Sequence, residues 1–290
     1  MRALKHAIGV AEKFKAAIHL VHVQPADELT TIARAGHLML NCADAIALMQ
    51  DRLAEVQLRH DVQFWPDHCH VLSGRPFEEV CKLAREIAAD LIALPTRGLS
   101  RLQHLVLGST AERIVRFASC PVLVLRGDKI TAEDEGAEPA SFQPRKILVP
   151  IDFSKCSLVG ARCAARLARS TGASLRFLHV VFPYSNYFGI DRVSATSASL
   201  IESAKESAGL EMATLKRMRF LRGLDCETEI RVGPTADEIS GESGNPEVDL
   251  VVTSTHGRTG FKRAIIGSIA EHVVRYAECP VITVPGRGRF

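Results

Sequence analysis

The chain has 290 residues, 47% hydrophobic and 24% charged, with a net charge of +3. That is enough apolar material for two domains with a core each. The charge is too mild and too evenly spread to imply a nucleic-acid partner, and no run approaches the roughly 20 apolar residues of a membrane span.

The opening "MRALKHAIGVAEKFK" is amphipathic and charged throughout. It has no apolar stretch of signal-peptide length, so the expected compartment is the cytoplasm. The eight cysteines form no C-x-x-C pair and fall mostly in apolar or helical stretches, which predicts reduced, buried thiols. In "HCH", His68 and His70 would point to one face of a strand and Cys69 to the other. Two ligands without a third make a poor zinc site, so this is read as a solvated strand face.

Further along, the chain repeats itself. "GSTAERIVRFASCPVLVL" (108–125) lies over "GSIAEHVVRYAECPVITV" (267–284) with ten of eighteen positions identical, at an offset of 159. "SGRPFEEV" (73–80) matches "VGPTADEI" (232–239), and "DLIALPTRG" (90–98) matches "DLVVTSTHG" (249–257). "IHLVHV" (18–23) lies over "LRFLHV" (175–180) at an offset of 157. One domain has been duplicated. The first copy covers 1–126 and the second 145–290. Between them 127–144, polar, acidic and rich in Gly, Ala and Pro, reads as a linker.

The second copy alternates strands and helices. "RKILVPID" (145–152) is a short buried strand, 157–172 a helix closed by glycine, and "SLRFLHVVF" a strand. A segment at 183–199 reads as mobile. A long helix is predicted over 200–223, then the strand "CETEIRVG", a short helix opening at "TADEISGES", the strand "VDLVVTST", the helix "SIAEHVVRYAE" and the last strand "PVITVP". Apolar strands alternating with helices imply an α/β fold, with a parallel sheet covered on both faces. Met1 aligns with Leu158, so the first copy lacks a counterpart of 146–157, which contains its first strand. Either the real start lies upstream, or the domain closes or fills the gap.

In such sheets ligands bind outside the carboxyl ends of the strands. "VDLVVTSTHG" brings Ser254, His256 and Gly257 to that edge, and Ser268 begins the next helix. The loop between carries Arg258, Lys262 and Arg263. Ser268 with Glu271, and Ser109 with Glu112, have the spacing of a capping box. That spacing leaves Gly257, Gly267 and the basic residues unexplained. Glycines permit close backbone approach, and a helix N-terminus offers free N–H donors. From chemistry alone, anion binding and a plain glycine-containing turn both fit. Asp152 ends the first strand, where either Asp152 or Ser154 caps the next helix, or Asp152 accepts a hydrogen bond from an adenine amino group or ribose hydroxyl. His256 has no nucleophile or carboxylate partner at a suitable spacing, so it reads as a positioning or solvent-facing residue.

These residues resemble the universal stress protein family in its tandem two-domain form, over nearly the whole chain. The family signature, G-x2-G-x9-G-[ST] after the fourth strand, is matched in its later parts by Gly257 and Gly267-Ser268, and by Gly98 and Gly108-Ser109. The first glycine is replaced by Ser254 and by Pro95, which removes a donor and fixes φ. "ILVPIDFS" with Asp152, and the pairs His179-Val180 and His22-Val23, match the ends of the family's first two strands. The resemblance implies two tandem doubly wound, parallel-sheet domains of the adenine nucleotide alpha hydrolase-like type, with strand order 3-2-1-4-5, the first lacking its first strand. It implies association through the fifth strands, here an intramolecular pseudo-dimer through the strands of Val122 and Val281, with a homodimer also open. It implies ATP, with or without magnesium. Pro150, Ile151, Asp152 and Val180 would surround adenine, and Ser254, His256, Gly257, Gly267, Ser268 and Ile269 would hold ribose and phosphates. Arg258, Lys262 or Arg263 would assist at the phosphates. The expected function is a nucleotide-binding stress sensor or regulator with slow hydrolysis at most, and no catalytic residue or metal centre is assigned. The alternatives are an interaction module that binds no nucleotide, and a slow ATPase or phosphotransferase.

Overall fold

In a computed structural model of the chain, the described residues are 2–24, 47, 68–96, 107–125, 142–183, 195–257 and 266–286. The first repeat contributes α1 (Arg2–Phe14), β1 (Leu20–Gln24), β2 (Cys69–Ser73), α2 (Pro76–Glu86), β3 (Ile92–Pro95), α3 (Ser109–Phe117) and β4 (Val122–Leu125). The second contributes β5 (Lys146–Pro150), α4 (Lys155–Thr171), β6 (Ser174–Val181), α5 (Ala195–Lys216), β7 (Cys226–Val232), α6 (Thr235–Glu242), β8 (Leu250–Ser254), α7 (Ser268–Tyr276) and β9 (Val281–Val284).

Seven strands form one sheet in the order β3-β4-β9-β8-β5-β6-β7. Within the second repeat this is the order 3-2-1-4-5. β5 is central because its residues suit burial on both faces: Ile147, Leu148 and Val149 are fully buried. It pairs in parallel with β6 on one side (Ile147 opposite Leu175) and β8 on the other (Ile147 opposite Leu250). The repeats meet through β4 and β9, which run antiparallel with Val122 opposite Thr283 and Val124 opposite Val281. The two domains therefore share a continuous sheet, and neither fifth strand is left as an open edge.

The first repeat is divided. β1 and β2 form a separate two-stranded parallel sheet, Leu20 opposite Cys69, while β3 and β4 belong to the large one. No described strand bridges β1 and β3, the position that β5 fills in the second repeat. Instead α1 packs against β3. Val10 and Ala93 pack against the core beneath α4, and Phe14 meets Phe142 at 6.4 Å between ring centroids.

Cores lie on both faces of the large sheet. One is built around Leu148, Val251, Val273 and Val274 with α3 and α7, the other around Phe177, Leu175 and Ile147 with α4 and α5. α4 lies close to the sheet because its inner face is small: Ala161, Ala164, Ala165 and Ala168 are buried, and a Cβ on Gly160 would reach the Ser254 amide at 3.4 Å. Ser154 caps the helix by accepting a hydrogen bond from the Ser157 amide at 3.1 Å, and Gly172 ends it at φ 83°. Burial pushes the thiols of Cys120 and Cys163 up to about 11, so both stay protonated at neutral pH. The described cysteines are free thiols.

The long helix differs from its expected span of 200–223. It begins at Ala195, because a run of Ser, Thr and Ala carries little periodic signal. It ends at Lys216, where bonds from Arg217 to Thr214 and from Met218 to Leu215 tighten the last turn. A single 3₁₀ turn follows at Arg219–Leu221. Most of 183–199, and the linker as far as residue 141, lie outside the described residues.

α6 is tied to the sheet by charge. The buried Glu242 accepts from Arg176 at 2.5 Å, from Arg231, and from Asn245 at 3.0 Å. Burial alone would raise the Glu242 pKa, but the hydrogen bonds from Arg231 and Arg176 outweigh it and hold the carboxyl below its ordinary range. A depressed carboxylate pKa stabilises the fold above the unfolded-state value, and that stability is lost as pH falls through the folded value. Glu242→Gln is therefore expected to lower stability by about 1–3 kcal/mol at neutral pH. The deficit should shrink as the wild type is acidified below about pH 4. Urea titrations of both proteins across pH measure this.

Candidate functional site

The carboxyl edge of the second repeat opens where β5 and β8 part. A cavity of about 590 Å³ lies there. Its lining brings together Pro150, Ile151, Asp152, Val180, Ser254, His256, Gly257, Gly267, Ser268 and Ile269, ten residues from four separate stretches of chain. Arg258, Lys262 and Arg263 lie outside the described residues.

The β5 end is closely organised. The Ile151 amide donates to the Leu178 carbonyl at 2.9 Å, and the Ile151 carbonyl accepts from His179 Nδ1 at 2.7 Å. Asp152 Oδ1 accepts from the Ser154 amide at 3.0 Å, a local turn that leads into the capped start of α4. Of the two candidate caps, Asp152 and Ser154, the cap falls to Ser154. Phe153 takes φ 63°, an uncommon conformation for a residue with a side chain, and its ring lies 4.7 Å from His179.

The β8 end is built on crossed hydrogen bonds. The Thr255 amide donates to Val284 at 3.0 Å, and the Thr255 carbonyl accepts from the Gly267 amide at 2.8 Å. Ser254 Oγ donates to the His256 carbonyl at 2.7 Å, and Thr255 Oγ1 lies 2.9 Å from His256 Nδ1. The two ends of the loop are thus fastened together beside the start of α7.

The two glycines serve different ends. A Cβ on Gly257 would come within 2.8 Å of Asp152 Oδ2, so glycine there lets the carboxylate lie against the loop. Among the described residues, a Cβ on Gly267 would meet the Thr255 carbonyl at 3.5 Å and the His256 Cα at 4.0 Å, ordinary contacts, and its φ of −62° suits any residue. No packing among the described residues requires glycine at 267, which borders the cavity.

A profile of the universal stress protein family matches residues 1–126 and 144–285. The chain belongs to that family. Universal stress protein MJ0531 of Methanocaldococcus jannaschii is 32% identical over 140 residues, covering 48% of this chain and 81% of that protein. A universal stress protein of Mycolicibacterium smegmatis is 28% identical over 200 residues, covering 69% of this chain and 63% of that protein. Among solved structures, a functionally unknown protein of Pseudomonas aeruginosa covers 97% of this chain and 86% of that chain at a TM-score of 0.66 and 18% identity. A universal stress protein of Archaeoglobus fulgidus covers 98% of this chain and 94% of that chain at 0.59 and 18%. At those identities the likeness establishes the fold, and the family itself is one of stress response.

Within this universal stress protein one expectation is corrected. Ser268 and Ser109 are not caps: they are the first residues of their helices, preceded by Gly267 and Gly108, which make no side-chain cap. The boundary falls one residue earlier because the Gly267 carbonyl already accepts from the Glu271 amide. Glu271 turns instead to Arg275 at 3.0 Å, and Glu112 to Arg116 at 3.0 Å. Ser268 is exposed at the cavity, its hydroxyl unused by the helix.

Other lining residues were not foreseen. Phe153, Thr255 and His179 border residues already singled out. Ile201, Ala204, Ser207 and Glu211 come from α5, and nothing in that helix's sequence marks them for a ligand. Only packing places α5 across the cavity.

Because Ser154 caps and Ser268 does not, the two serines should respond differently to substitution. Ser154→Ala is expected to cost about 1 kcal/mol. Ser268→Ala should stay within about 0.5 kcal/mol of the wild type. Thermal and urea unfolding of the two variants, without ligand, distinguish them.

Proposed function

We propose that the second repeat binds one ATP in this cavity. Adenine lies toward Asp152 and Val180, and the phosphates toward Gly257, Gly267 and Ser268. The observation that carries the reading is the convergence of the ten motif residues on one cavity, with a glycine at 267 that packing among the described residues does not explain. The amides of Ser268, Ile269 and Ala270 have no acceptor within α7, as at any helix start. They suit an anionic group. The helix field alone is worth only about 0.3–1 kcal/mol at an exposed site. Affinity must therefore come from several donors acting together, with Arg258, Lys262 or Arg263 assisting and magnesium as an accompanying ion.

The first repeat is expected to bind nucleotide poorly. Its loop keeps the same fastening, with the Gly108 amide donating to Thr96 at 2.9 Å. It has Pro95 in place of Ser254, and no described strand of that repeat takes the place of β5. The protein acts as a nucleotide-dependent sensor or regulator in stress response, with turnover slow at most. Free thiols among the described cysteines suit a reducing compartment such as the cytoplasm.

Calorimetric titration with ATP tests the assignment. Gly267→Val should weaken binding by about tenfold or more, a loss of about 1.4 kcal/mol or above, with the fold kept. Asp152→Ala should weaken it through the base and ribose end, and Gly257→Ala by displacing the Asp152 carboxylate that a new Cβ would meet at 2.8 Å. Gly108→Val should leave affinity unchanged. Unaltered affinity in Gly267→Val, or a larger loss from Gly108→Val, would put the ligand elsewhere. Absence of any binding by the wild type would favour an interaction module that works without nucleotide.

A further inference from the structure

The outer face of α4 carries a row of arginines. Arg162, Arg166 and Arg169 stand at i, i+4 and i+7, opposite the buried stripe of Ala161, Ala164, Ala165 and Ala168. All three are exposed. The 3₁₀ turn at Arg219–Leu221 packs against this helix. The Arg162 guanidinium sits over the Phe220 ring, 5.5 Å from its centroid, and Arg169 Nη2 donates to the Phe220 carbonyl at 2.5 Å. A shallow hollow results, lined by Arg162, Met218, Arg219 and Phe220. Lys216, Arg217 and Arg222 flank the turn in sequence and are exposed. Neither 155–171 nor 212–224 contains an Asp or Glu. Basic residues that are spread along the chain are gathered here by folding.

Packing does not account for the row. Like charges at i, i+3 and i, i+4 disfavour a helix. Elsewhere in the second repeat Arg145, Arg176, Arg231 and Arg275 each meet a carboxylate. Among the described residues Arg162, Arg166, Arg169 and Arg219 meet none. At the offset of 157, α1 has Lys5, Gly9 and Glu12 in the three row positions, and it still joins the core through Val10. None of the residues of this surface lines the nucleotide cavity.

We propose that this surface docks a short acidic segment of a partner protein, with carboxylates on either side of one apolar side chain. A guanidinium group holds a carboxylate through two parallel N–H···O bonds, and arginine clusters recognise acidic motifs in this way. Met218 and Phe220, half-buried in the hollow beside Arg162 and Arg219, give the apolar side chain its contact. Two features favour a peptide over a nucleic acid. Arg162 covers one face of the Phe220 ring, which takes that face from a stacking base. The basic surface is also short. α4 advances only about 10 Å from Arg162 to Arg169, and the exposed acids Glu211 and Asp225 bound the basic stretch 212–224. A long polyanion would run beyond the arginines, whereas a few carboxylates would not.

Fluorescence anisotropy on the full-length protein tests this, without ATP, so that the outcome does not depend on the nucleotide cavity. The probe is a labelled peptide of glutamates around a central leucine. Saturable binding of one peptide per chain is expected, weakened by added salt. The charge-reversing double variant Arg162→Glu with Arg219→Glu should weaken it about tenfold or more. Arg162→Lys keeps the charge and loses the fork, so it should weaken binding measurably but less than Arg162→Glu. Arg75→Glu makes the same charge change at an exposed position of the first repeat and should stay within about twofold of the wild type. Competition on the wild type depends on no variant folding: unlabelled peptide should displace the probe, and single-stranded DNA or phosphatidylserine vesicles at equal charge should not. Displacement by DNA or vesicles, no saturable binding of the peptide, undiminished binding in the double variant, or an equal loss in Arg75→Glu overturns the proposal.

Discussion

Both edges of β5 are hydrogen-bonded to parallel neighbours, β6 on one side and β8 on the other. From those neighbours the sheet continues in opposite directions, to β7 and to β9. Strand order therefore reverses about β5, and the crevice beyond its carboxyl end follows from that reversal. Asp152 is at the mouth because it is the second residue after β5. Ser254 is opposite because it is the last residue of β8. The site depends on the double pairing of one short apolar strand.

In the first repeat no described strand joins β1 to β3. Its described strands form two pairs, β1 with β2 and β3 with β4. The second pair is held by the other repeat: β4 adds to β9 as an antiparallel neighbour, and α1 joins the core beneath α4. The loop before α3 keeps the same internal fastening as the loop before α7. That fastening is kept where no described strand fills the place of β5.

Glycine has several distinct uses in this fold. At Gly160 it lets α4 approach β8, and at Gly172 it ends a helix in a left-handed conformation. At Gly257 it leaves room for the Asp152 carboxylate, a contact inside the site. At Gly267 neither packing among the described residues nor backbone conformation requires it. This separation turns a glycine-rich loop from a compositional hint into a physical argument about where a ligand has room.

Much of this was legible from local pattern. The duplication, the strand-helix alternation and the burial of "KILVP" follow from residue identities at fixed spacings, because a strand buried on both faces must be apolar throughout; its central place came from the strand order that the resemblance implies. The ten residues round the cavity were named through the resemblance to the family, and they lie near the ends of strands or at the start of a helix. Tertiary structure decided what depends on residues far apart in sequence. It gave the cap of α4 to Ser154 and withheld one from Ser268, where a one-residue shift in the helix start undoes the capping-box spacing. It placed α5 across the cavity, and it brought the turn at Phe220 against the arginine row of α4. Spacing describes neighbours along a chain, while caps, cavity walls and charged clusters depend on which distant backbones pair and in what register.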